Sequence, residues 1–134
     1  MADRLFTLED ALALLPTVRQ PLIEIQSGKR EVEERSAALD RLLAATGGNG
    51  HLASGVARAR EALQRAAAAL QQLMGELDET GAELKGIDEG LIDFPSERAG
   101  RVVYLCWRLG EETIGFWHEL DTGFAGRQRL EGAP

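Results

Sequence analysis

RVVYLCWRLGEETIGFWHE, residues 101–119, decides how this chain is read. Val102, Val103, Tyr104 and Trp107 give its first half strong β preference, since branched and aromatic side chains suit a pleated, half-buried surface. Leu109-Gly110-Glu111-Glu112 reads as a turn, and Thr113 to Glu119 as a returning strand. Upstream, Leu91-Ile92-Asp93-Phe94 is a third short strand, stopped by Pro95, with Ser96 to Gly100 as a loop. These pieces predict a small three-stranded antiparallel β-meander and a C-terminal loop over residues 90–130. If Gly110-Glu111 is a two-residue turn with Gly110 at positive φ, Trp107 faces Ile114, Leu105 faces Phe116 and Val103 faces His118. Side chains alternate along a strand, so these six share one face. Five of them are apolar, which directs that face to a core and leaves His118 at its rim. The opposite face then carries Tyr104, Cys106, Arg108, Trp117 and Glu119. It is too mixed for plain core and too aromatic for plain solvent surface.

Working back towards the N-terminus, the period changes from 2 to 3.6. Leu15, Val18, Leu22, Ile25, Lys29, Val32, Ser36, Leu39 and Leu43 follow alternating steps of three and four. So do Leu52, Val56, Ala59, Leu63, Ala66, Leu70, Leu73, Leu77, Thr80 and Leu84. Each row is one seam of a helix. Thr46-Gly47-Gly48-Asn49-Gly50 separates them, with residue types that turn readily. The expected arrangement is an antiparallel, coiled-coil-like helical hairpin over residues 16–46 and 51–85, each arm about 45 Å long at 1.5 Å per residue. Thr7 is a natural N-cap, with Asp10 three residues on, for a short N-terminal helix over 7–15 that Pro16 ends. The fold class is therefore α+β, a single domain over residues 1–134. The second arm is rich in alanine, which buries little apolar area per residue. Such a stem predicts a homodimer, in which paired hairpins make a four-helix bundle.

Composition narrows the function. The 134 residues carry a formal charge of −7, and the fifteen Lys and Arg are interleaved with acids. Nucleic-acid binding needs a basic face to displace counterions, so nucleic acid is not expected as a partner. Nor is a membrane, because no apolar run approaches the roughly 18 residues of a span. Met1 to Leu15 lacks the pattern of a signal peptide. The single cysteine forms no internal disulfide, in keeping with a cytoplasmic location.

Chemistry is concentrated in the tail. Residues 90–130 hold both tryptophans, the only tyrosine, the only cysteine, and every phenylalanine except Phe6. Asp93, Tyr104, Trp117, His118, Glu119 and Arg127 make up the candidate binding surface, suited to a protein or small-molecule ligand. Histidine binds metals through a neutral nitrogen and serves as a general base, so a divalent metal held by His118 with Asp93 or Glu119 is the alternative, as the centre of a metal-dependent or acid–base enzyme. A third reading is purely architectural, with the tail only capping the bundle. No paired histidines or cysteines announce a metal site. Whether Asp93 joins His118 depends on register: a six-residue loop sets it opposite Val102, a slip of one opposite Val103. Cys106, among apolar neighbours, reads as a small buried hydrophobe without an activating base. Arg127 and Arg129 are expected to pair with the acids of the tail.

GLIDFP (residues 90–95), VYLCWRLGE (103–111) and WHELDTGFAGRQRL (117–130), together with FTLEDALALLP (6–16), resemble the bacterial family catalogued as domain of unknown function 2203. The resemblance runs the length of the chain. It implies no activity or catalytic residue, since that family has none established. Some members carry a label likening them to the cell-division coiled-coil protein DivIVA, which follows from heptad composition.

Overall fold

A computed structural model describes residues 4–46 and 50–130. Helices α1 (Leu8–Thr46) and α2 (Gly50–Glu79) pack against each other and are followed by an antiparallel sheet. Its strands are β1 (Glu83–Gly86), β2 (Leu91–Arg98), β3 (Arg101–Arg108), β4 (Phe116–His118) and β5 (Gln128–Arg129), paired in chain order. The expected α+β architecture holds, and short strands at each edge extend the three main ones. Most of the glycine-rich turn at 46–50 lies outside the described residues.

The capping box forms as the sequence suggests. The Asp10 amide donates to Thr7 Oγ1 at 3.0 Å, and the Thr7 amide donates to Asp10 Oδ2 at 3.1 Å. Thr7→Ala should therefore lower the unfolding free energy by about 1 kcal/mol in urea melts. An unchanged midpoint at constant slope would contradict the cap.

The short helix over 7–15 does not end at Pro16. Helix α1 passes through both Pro16 and Pro21. Each interior proline costs about 3 kcal/mol. Against that, Ala11, Leu15, Val18, Leu22 and Ile25 lie on one continuous stripe, none more than 4% exposed. At about 1.5–3 kcal/mol for each large side chain, their burial outweighs the broken ladder. Helix α2 ends at Glu79, short of the expected residue 85. Gly81 takes φ +93°, and the Thr80 and Gly81 amides bond back to Leu77 O and Asp78 O, as in a glycine-terminated helix. Leu84 continued the helical seam in sequence, but it lies on β1 opposite Ile92 and still points inward.

Pro95 likewise fails to stop its strand. Its carbonyl accepts from the Phe6 amide at 2.6 Å, on the edge away from β3. The N and O of one strand residue point the same way, so the missing donor also falls on that edge and no β2–β3 bond is lost. Strands β2 and β3 instead continue to Arg98 and Arg101, joined by Ala99 and Gly100 at φ 53° and 80°. The segment expected as a loop is thus mostly strand plus a tight two-residue turn.

The inner face of the sheet packs on the helices. Ile92 lies opposite Trp107, and Phe94 opposite Leu105, which in turn lies opposite Trp117. These join Phe6, Leu15, Val18, Leu22, Ile25 and Leu77 in the main core. The Ser96 hydroxyl donates to Phe6 O, and the Phe6 and Phe94 rings meet edge to face at 5.4 Å. Further along the hairpin the seam loses the sheet's cover: Val32, Ser36, Val56, Ala59 and Leu63 are only half-buried.

Candidate functional site

The β3–β4 connection sets the site. Trp107, fully buried, needs a partner for its indole N–H, and the Glu111 carbonyl supplies it at 2.9 Å. The Glu111 carboxylate turns back to accept from the Arg108 amide at 2.8 Å. These bonds fold the chain beyond Arg108 into a broader loop than a two-residue turn, although Gly110 does adopt φ +106°. The strands consequently pair one residue out of the expected register: Tyr104 with His118, Leu105 with Trp117, Cys106 with Phe116. A slip of one exchanges faces. Trp117, expected outside, is inside. His118, expected at the rim of the inner face, is outside beside Tyr104 and Cys106.

The β2–β3 register also differs from both expected settings, because the tight turn brings Asp93 opposite Cys106. Asp93, Cys106 and His118 therefore converge on the outer face, yet are only 3%, 1% and 2% exposed. Leu120, Gly123 and Phe124 of the C-terminal segment fold over them. With Lys85, Leu91 and Tyr104 they line a partly open pocket of about 220 Å³.

Hydrogen bonding fixes much of the site's protonation. His118 Nδ1 lies 2.7 Å from Glu119 O, and a carbonyl only accepts, so Nδ1 carries a proton. His118 Nε2 lies 2.9 Å from Asp93 Oδ2. One proton serves that contact, either on the ring, giving an ion pair, or on the carboxyl, giving a neutral pair. Burial pushes the Asp93 carboxyl above its ordinary range, opposed by His118 and by a hydrogen bond with the Cys106 thiol. The same burial, reinforced by Asp93, pushes the Cys106 thiol up to about 12. Cys106 is thus a thiol, held by Asp93, and not a resting nucleophile.

Beside this triad, the Tyr104 hydroxyl donates to Glu83 Oε1 at 2.8 Å. Lys85 Nζ sits 3.0 Å from the same Glu83 oxygen and 4.4 Å from the Tyr104 ring centre. Burial and the Glu83 bond hold the Tyr104 phenol above its ordinary range. Burial works against charge on Lys85, but its bonds to Glu83 and Tyr104 outweigh it and raise its pKa. The Tyr104 and His118 ring centres are 5.4 Å apart.

Of the six residues expected to share a surface, Asp93, Tyr104 and His118 come together. Trp117 packs in the core under Arg98. Glu119 pairs with Arg101 outside the pocket, which holds its carboxyl below the ordinary range, so it is not placed beside His118 as a metal ligand. Arg127 bonds Glu111 at 2.9 Å and stacks on Phe116 and Phe124 at 3.9 and 4.5 Å, bracing the segment that covers the pocket. Two further residues of the pocket, Cys106 and Lys85, were not among those expected to share the surface. Cys106 was set aside because the assumed register put His118 across the sheet, and Lys85 because it was read as helix.

A family model described as "Uncharacterized conserved protein (DUF2203)" matches residues 4–130. No curated protein and no solved structure matches the chain.

Proposed function

The chain belongs to this DUF2203 family, and we propose that it is a small-ligand-binding protein whose site is the covered pocket on the outer face of its sheet. One observation carries the reading: three polar side chains with reactive groups, Asp93, Cys106 and His118, are buried on the sheet face turned away from α1 and α2, where they line a pocket. A pocket lined by apolar walls and a few convergent polar groups is the usual form of such a site. Lys85, Tyr104 and Asp93 suit a small molecule bearing an anionic oxygen and a hydroxyl or amide.

The acid–base alternative gains Asp93 as a partner for His118 and loses Glu119. It is the weaker reading, because in the metal-free chain His118 Nδ1 is bonded to the Glu119 carbonyl and Nε2 to Asp93, which leaves neither nitrogen directed at a substrate proton. A homodimer stays part of the proposal, supported by the half-buried seam beyond the sheet. Sedimentation at micromolar concentration should give twice the chain mass, and a stable monomer would remove this element. Among the described residues no helix is long and apolar enough to cross a membrane. Cytoplasmic placement also belongs to the proposal, supported by the free thiol of Cys106.

To test the pocket, small carboxylates and phosphates are titrated into isotopically labelled protein. Shift changes are expected at Tyr104, His118, Leu120 and Phe124, and should be lost in Lys85→Ala. Changes scattered over the helices, or none, would count against the pocket.

A further inference from the structure

We propose that Asp93, Cys106 and His118 form a three-ligand site for a zinc-type divalent ion, with its fourth position open to the pocket. This deepens the pocket reading. One carboxylate oxygen, the sulfur and the ring nitrogen all lie within 4.8 Å of one another. Tetrahedral zinc with bonds of 2.0–2.3 Å needs ligand atoms about 3.3–3.8 Å apart. The Nε2–Oδ2 contact of 2.9 Å therefore opens by under an ångström as the ion takes the place of the shared proton.

Three further features favour a metal over a merely satisfied polar cluster. His118 is already oriented as metal-bound histidines are, with Nδ1–H donated to a backbone carbonyl and Nε2 turned inward. The charges also balance. Before binding, the triad holds two exchangeable protons, one on the thiol and one shared by Asp93 and His118. Binding sends both to solvent, leaving a carboxylate, a thiolate and a neutral imidazole. Their two negative charges cancel a divalent ion, so the buried site stays neutral. Finally, the donor set selects the metal: sulfur with imidazole suits zinc, cobalt or iron, and not magnesium or calcium.

Three protein ligands and an open position are the pattern of a catalytic metal and not of a closed structural one. The pocket side of the ion is then free for water or an anionic oxygen. Lys85, lining the same pocket, would attract the anion.

Cobalt(II) is the probe. The full chain, stripped with chelator, is titrated with Co²⁺ under anaerobic conditions. One ion per chain is expected, with intense tetrahedral visible bands and a thiolate-to-cobalt charge-transfer band. The chain has one cysteine, so that band reports Cys106 directly. Zinc should bleach both. Asp93→Asn and His118→Gln should weaken binding at least tenfold, with near-ultraviolet circular dichroism showing whether each variant folds. A wild-type protein with no charge-transfer band overturns the proposal whatever the variants do. So does cobalt affinity unchanged in a folded Asp93→Asn. Carboxylate or phosphate still bound by a protein that takes up no metal would overturn the ion and leave the pocket standing.

Discussion

Asp93→Ala is expected to destabilise the metal-free protein by about 3 kcal/mol or more, while Asp93→Asn costs far less. Removing one partner of a buried pair leaves the other unsatisfied. That costs roughly 1–3 kcal/mol for a neutral group and 3–5 kcal/mol if a charge is stranded. Here alanine would strand His118 Nε2 and the Cys106 thiol at once, both within the covered outer face. An asparagine amide still donates to Nε2 and still offers an oxygen to the thiol. Urea melts of the three proteins at neutral pH would compare them. Equal destabilisation by both variants would show that the carboxylate's charge is what the site needs. Two near-neutral variants would place Asp93 in solvent.

The second large effect is alkaline. In the folded chain the Cys106 thiol is raised to about 12 from an ordinary 9.0, by burial first and then by Asp93. The folded state therefore holds its proton through a range where the unfolded chain gives it up. The resulting stabilisation is fully present below the unfolded value and is lost as pH rises through the folded one. Over that window the loss is on the order of 4 kcal/mol. Lysines and Tyr104 titrate there too, so the informative quantity is the difference between wild type and Cys106→Ala. The wild-type unfolding free energy should fall more steeply with pH above 9 than that of the variant. Parallel curves would mean that Cys106 ionises freely and is not buried against Asp93.

Much of the scaffold was legible because it is written in local terms. Thr7 and Asp10 announce the first helix through a three-residue spacing, and both seams repeat in steps of three and four. The breaks were harder. Pro16 and Pro95 are local breakers, and each was overruled by longer-range partners: a buried stripe in α1, and the Phe6 amide on an edge where Pro95 owes no bond. Leu84 shows a different limit, since a residue that points inward as either helix or strand leaves no periodic mark of the change.

The site was half legible for the same reason. Asp93, Tyr104 and His118 stood out by residue type. Their assembly rests on a single register step, and that step depends on where the buried Trp107 indole finds an acceptor. Turn residues alone suggested a two-residue hairpin. The Trp107–Glu111 bond moves the pairing by one, exchanging the faces of Trp117 and His118 and bringing Cys106 into the site. No pattern in residues 101–119 marks that bond.

The most direct test of the whole account is a long-range proton–nitrogen correlation spectrum of the His118 imidazole in metal-free protein. Convergence of Asp93, Cys106 and His118 requires a proton held on Nδ1, slow to exchange with solvent, and an Nε2 resonance displaced by Asp93→Asn. A proton fixed on Nε2 over a bare Nδ1, or a ring exchanging as freely as an exposed histidine, would contradict the register and the site built on it.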